Sequence, residues 1–214
     1  MDRPDDVLSF WFPPVAQDDP AAMARQLEWW FRGGADAEIT RRFRPLHEEA
    51  ARGQLDDWAD DDPRSRLALI LVLDQFSRTI YRGDARAYAF DSKAGSLTRA
   101  GLDAGHYAAL TSPWEKTFFF LPLGHSEDLR DLAQAVELAE QLARDAPPDQ
   151  RTMLEHSASQ ARGHRDVVAR FGRQPHRNAV LGRTSTPEEI EYLARGEFVH
   201  ERPPPRQGDT ARLS

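Results

Sequence analysis

Residues 67–82, LALILVLDQFSRTIYR, constrain the fold more than any other stretch of the chain. Their first two turns are apolar on every side, and a helix of that kind packs in the middle of a protein, not on its surface. Asp74, Gln75, Arg78 and Arg82 then follow before Gly83 ends the run. Charged groups on a buried helix are costly unless they meet partners. The stretch therefore predicts a helical protein with a buried polar centre.

Helical patterning continues through the rest of the chain. Asp5–Phe12 and Ala21–Arg32 read as helices, with Trp29, Trp30 and Phe31 as core anchors. Asp36–Arg52 places Ile39, Phe43, Leu46 and Ala50 at helical spacing, with a kink expected at Pro45. Gly53–Asp62 reads as a polar connection. Asp84 and Asp91 offer N-caps for the next two helices, and Ser112-Pro113-Trp114-Glu115 forms a capping box. Pro122 should disturb the helix that this box starts. Leu129, Leu132, Val136, Ala139 and Leu142 form one stripe, a long helix covers about Asp149–Phe171, and Thr186-Pro187-Glu188-Glu189 is a second capping box. No run alternates as a strand does. The expected class is all-α, a single-domain antiparallel array of about eight to ten helices over residues 1–198. Residues 199–214, with Pro203-Pro204-Pro205, are expected to form a disordered tail.

Cysteine is absent, which removes disulfides and thiolate metal sites. The acidic start lacks a secretory pattern, and no apolar run reaches membrane-spanning length, so a soluble cytoplasmic protein is expected. A formal net charge of −7 opposes broad nucleic-acid binding. The charge is uneven, however: Arg162–Arg183 holds six arginines, two histidines and one acid. That segment is short and carries no stacking aromatics in pattern, so nucleic acid is not an expected partner.

Four segments carry most of the polar signal: LDQFSRTIYRG (73–83), PLGHSEDL (122–129), GHRDVVARFG (163–172) and RQPHRNAVLGRTSTPEE (173–189). At these residues the chain resembles a bacterial domain-of-unknown-function family, number 924. The resemblance implies an all-α, tetratricopeptide-repeat-like fold and no established activity. The letters themselves show no 34-residue repeat. Against the family pattern, Ser77 stands where proline is usual, Thr79 where asparagine is usual and Gly124 where methionine is usual. These departures imply a relaxed turn at the first motif or an enlarged pocket beside the second.

Asp74 and Arg78, four residues apart, share a helix face and can pair as a packing lock. Alternatively Arg78 and Arg82, also on one face, could fork onto a ligand carboxylate or phosphate, which guanidinium geometry suits. His125, with Glu127 and Asp128 beside it, is a candidate acid/base group because histidine is the side-chain type suited to proton transfer near neutral pH. Ser126, Glu127 and Asp128 equally suit capping of the following helix. With a distant His164 or His176 the same turn has the ligand types of a two-histidine, one-carboxylate iron site, but the pattern is short and common, so no metal or other cofactor is expected. Arg170, Arg173, His176, Arg177 and Asn178, near His164, suit an anion site, or else a basic face contacting the acidic Glu127–Glu140 stretch. The residues together suggest an Arg/His-lined pocket for an anionic small molecule or peptide. In it Asp74, Gln75, Arg78, Arg82, His164, Arg170, Arg173, His176, Arg177 and Asn178 would bind, and His125, Glu127 and Asp128 would be the catalytic candidates. Binding alone and turnover both fit this set. A helical scaffold that holds a peptide or protein partner, with the polar motifs as structural locks, is the other reading; neither fixes an oligomeric state.

Overall fold

The computed structural model describes residues 3–14 and 20–196. The expected tail, 199–214, lies outside them. Among the described residues every regular element is helical and there is no strand. The chain divides into two compact units, Met1–Pro122 and Leu123–Ser214. The division falls within one helix.

In the first unit, α1 (Pro4–Trp11) and α2 (Pro20–Phe31) precede α3 (Asp36–Glu38), a π turn (Ile39–Phe43) and α4 (Arg44–Ala51). The expected kink at Pro45 takes the form of that π turn. A wider turn upstream of a proline keeps its ring off the carbonyl four residues back, the clash that breaks an ordinary helix. The polar connection 53–62 is not wholly irregular. It contains α5 (Trp58–Asp61), because Leu55, Trp58 and Ala59 are buried and a short helix satisfies their backbone.

The predicted central helix is present as α6 (Pro63–Leu71), a second π turn (Val72–Phe76) and α7 (Ser77–Ile80). Asp62 caps it, accepting from the Arg64 and Ser65 N–H groups. Every side chain from Leu67 to Leu73 is fully buried. Around them Trp11, Trp30, Phe76 and Phe118 pack ring against ring, and Trp30 Nε1 donates to the Trp11 carbonyl at 2.9 Å. Trp30 is thus a core anchor as expected, whereas Phe31 is 59% exposed. A 3₁₀ turn (Ala85–Tyr88), α8 (Asp91–Asp103) and α9 (His106–Ala109) lead to α10 (Pro113–Gly124).

Two expectations at these helix starts change. Asp84 caps as predicted, but Asp91 is the first helical residue and spends its carboxylate on Arg78. At Ser112 the box is not reciprocal. Glu115 pairs with Arg64 at 2.5 Å, and an ion pair is the stronger contact for a buried carboxylate. Pro122 lies inside α10, whose last residue is Gly124, two positions on.

In the second unit, α11 (Leu129–Asp145) and α12 (Pro148–Phe171) form a tightly connected helical hairpin. Small residues let the two helices approach: Ala135, Ala139 and Ala143 on one, Ala158 and Ala161 on the other, all buried. Leu129, expected on this stripe, is instead 47% exposed at the first helical position. A 3₁₀ turn (Pro175–Arg177) and α13 (Pro187–Ala194) follow, the latter opened by the predicted Thr186–Glu189 capping box. No helix among the described residues is long and apolar enough to cross a membrane.

Candidate functional site

The π turn at Val72–Phe76 carries the first motif's acid into the core. Asp74 is fully buried and accepts from Gln75 Nε2 at 2.6 Å and from Arg78 Nη1 at 2.9 Å. Arg78 also forks onto Asp91, with Nη1–Oδ1 and Nη2–Oδ2 both 3.0 Å, and donates to the Asp74 carbonyl at 2.8 Å. Its guanidinium lies 5.7 Å from the Tyr88 ring. Burial pushes the Arg78 pKa down, but Asp74 and Asp91 outweigh it and the net direction is up. One guanidinium thus serves two carboxylates, and the cation of this cluster is already engaged.

Arg82 does not join that cluster. It pairs with Asp36 at 2.7 Å, and the Thr79 hydroxyl donates to the same carboxylate at 3.3 Å. The two side chains tie α7 to the start of α3. Asp36 and the fully buried His47 are polar residues here that sequence reasoning did not single out, and Asp91 it read only as an N-cap.

His47 Nε2 lies 2.6 Å from the Ser77 Oγ, which in turn donates to the Leu73 carbonyl at 2.6 Å. With the hydroxyl proton so used, Nε2 is the protonated nitrogen and Ser77 the acceptor. His47 Nδ1 is buried without a partner among the described residues. Position 77, where the family pattern has proline, is therefore tied to two neighbours, not relaxed. Burial chiefly, with Arg44 acting in the same direction and Glu48 against it, pushes the His47 pKa down to about 4 from 6.5. The unfolded chain then takes up a proton that the fold refuses. Stability should fall as pH drops from about 6.5 to about 4, by about 3 kcal/mol, and level off below. Urea unfolding at several pH values measures this, and His47→Gln should flatten that part of the curve.

The second unit holds two further ion clusters. Glu189, 2% exposed, accepts from Arg173 Nε at 2.7 Å and Nη2 at 2.8 Å, from the Thr186 N–H at 2.7 Å and from Asn178 Nδ2 at 3.2 Å. These bonds, Arg173's first, hold its pKa down to about 2. Arg173 reaches the Thr184 carbonyl as well, at 2.9 Å. Glu127 accepts from the Gln174 N–H and from Arg183 Nη1, both at 2.8 Å. Burial would raise its pKa, yet Arg183, the Gln174 N–H and the charge on Arg177 together lower it. A carboxylate so held stays ionised and is a poor proton carrier near neutrality.

Of the other candidates, Asp128 caps α11 through the Arg130 N–H at 2.8 Å, and Ser126 Oγ accepts from the Asp128 N–H at 3.0 Å. Those two follow the capping alternative; Glu127 does not. Arg170 pairs with Glu188 at 2.6 Å, the neighbour of the Glu189 that holds Arg173. Arg177 and Asn178 are buried, while His125, His164 and His176 are half-buried. His164 offers its carbonyl to Gln174 Nε2 at 3.5 Å. Arg162 with Glu140, at 2.7 Å, and Arg183 with Glu127 realise the expected contact between the basic segment and the acidic stretch. No group of three or more His, Asp or Glu side chains among the described residues is arranged to hold a metal ion.

Gly124 has no heavy atom within 4 Å of where a Cβ would stand, and its φ is not positive. Alanine therefore fits and removes backbone freedom from the unfolded chain. Gly124→Ala should stabilise the protein by about 0.4–1 kcal/mol, read as a small rise in thermal midpoint.

Fold and geometry together define an all-α protein whose polar motifs close on internal carboxylates. Residues 7–197 match the family described as bacterial protein of unknown function (DUF924). The chain belongs to that family. It is also similar to a solved structure, a protein of unknown function from Agrobacterium tumefaciens, at 36% identity and a TM-score of 0.67, over 90% of this chain and 97% of the other. Comparison with curated proteins gives no match.

Proposed function

We propose that the protein is a helical scaffold, tetratricopeptide-like in its use of packed helix pairs, that holds a peptide or protein partner while its polar motifs act as structural locks. One observation carries this reading. Four of the five arginines that would grip an anionic ligand, Arg78, Arg82, Arg170 and Arg173, each already sit on a carboxylate of the chain itself, and the fifth, Arg177, is buried. A ligand at Arg78 or Arg173 would have to displace a buried acid and leave it unpaired, which costs about 3–5 kcal/mol. Recognition by such a protein therefore uses surfaces outside the motifs.

Thermal unfolding in the presence of inorganic phosphate, citrate and nucleoside phosphates at low salt tests the reading. The scaffold reading expects no shift beyond that of an ionic-strength control. A saturable rise of several degrees, lost in Arg170→Ala, would establish an anion pocket at the motifs instead. Arg170 suits this control because its ion pair with Glu188 is exposed on both sides, and its loss is of small structural consequence.

A further inference from the structure

The hairpin of α11 and α12 leaves a groove of about 420 Å³ along one side. Its two walls are helical stripes. Arg151, Glu155, Ala158 and Arg162 recur at the spacing of one face of α12, and Glu140, Ala143 and Arg144 face them from α11. Ala143 and Ala158, both buried, supply the apolar part of its lining. At one end Arg162 and Glu140 close on each other at 2.7 Å.

The remaining charges are not used up. Arg151 Nη2 donates only to the Ala146 carbonyl, at 3.2 Å. Arg144 and Glu155 make no hydrogen bond or ion pair among the described residues. Arg151 and Glu155 are four apart and could neutralise each other along the helix, yet both side chains line the groove unpaired with one another. Two cations and one carboxylate, all on exposed residues, therefore line one open groove. A simple dianion would meet Glu155 and Glu140, and a polyphosphate backbone would be repelled by the same two acids.

We propose that this groove binds a small molecule carrying both a carboxylate and an ammonium group, the charge pattern of a free α-amino acid. Arg144 and Arg151 take the carboxylate, for which a guanidinium fork is suited, and Glu155 takes the ammonium. The Arg162–Glu140 pair ends the groove and limits the length of side chain admitted. This site stands independently of the scaffold reading, because none of its residues belongs to the motifs that act as locks.

Isothermal titration of the full chain at low salt, with glycine, aspartate, glutamine and lysine as probes, tests it. The expected result is saturable binding of at least one of them. The N-acetyl and the carboxamide derivatives of that amino acid should each bind about tenfold more weakly or not at all, as should Arg144→Ala and Glu155→Gln with the parent. Both variants should keep the wild-type thermal midpoint without ligand, since neither side chain has a partner to lose. Absence of saturable heat for all four probes up to about a hundred times a 100 µM constant, a range in which ligand would also raise stability measurably, overturns the proposal. So does binding that both variants leave unchanged, or equal binding of acetate or ethylamine.

Discussion

Replacing Arg78 with alanine should lower the unfolding free energy by about 3–5 kcal/mol, the cost of breaking a buried ion pair by removing one member. The case is stronger than for an ordinary pair because two carboxylates depend on this one cation. Asp74, with a side chain 1% exposed, and Asp91, at 16%, would be left within a few ångströms of each other with no positive charge between them. Gln75 can donate one hydrogen bond to Asp74, but it supplies no charge. At about 2–4 °C per kcal/mol for a chain of this size, a thermal midpoint lower by roughly 10 °C is expected. Arg78→Lys should recover part of the loss, because an ammonium restores the charge but cannot fork onto Asp91 while reaching Asp74.

Arg173→Ala should have the second largest effect, about 3 kcal/mol at neutral pH. Glu189 would keep its bonds from the Thr186 N–H and Asn178 but lose the bidentate guanidinium that contributes most to its low pKa. The pH dependence separates this lock from a simple packing defect. In the wild type the folded pKa lies below the unfolded value of 4.5, so the contribution of Glu189 is fully present above about pH 4.5 and is lost as pH falls toward about 2. The stability gap between wild type and Arg173→Ala should therefore shrink over that acid range. Urea midpoints at pH 7, 4 and 3 measure it; a constant gap would mean that Arg173 contributes by packing its stem instead.

Much of the fold can be read from local chemistry. The all-round apolar run at Leu67–Leu73 dictates a buried central helix, and Thr186-Pro187-Glu188-Glu189 dictates a helix start, because both are decided within a few residues. The Asp74–Arg78 pair is legible for the same reason, being one helical turn apart. What spacing does not reveal is the long-range partner. Asp91 has the sequence of an N-cap and Glu115 that of a capping box, yet each is taken by an arginine from a distant helix. Asp36 for Arg82 and Glu189 for Arg173 lie 46 and 16 residues away, and charge alone does not say which acid meets which base. The arginines thus read equally well as ligand contacts until their internal partners are seen. His47 carries no motif at all; only its burial against Ser77 gives it a role.

The most direct measurement is a double-mutant cycle on Arg78 and Asp91, with unfolding free energies from urea denaturation of the wild type, Arg78→Ala, Asp91→Ala and the double variant. If the motif charges are locks, the two single substitutions overlap and the coupling energy is about 2–3 kcal/mol, the upper range for residues in direct contact. A coupling near zero, with Arg78→Ala as stable as the wild type, would contradict the account and return Arg78 to the surface as a residue free to meet a ligand.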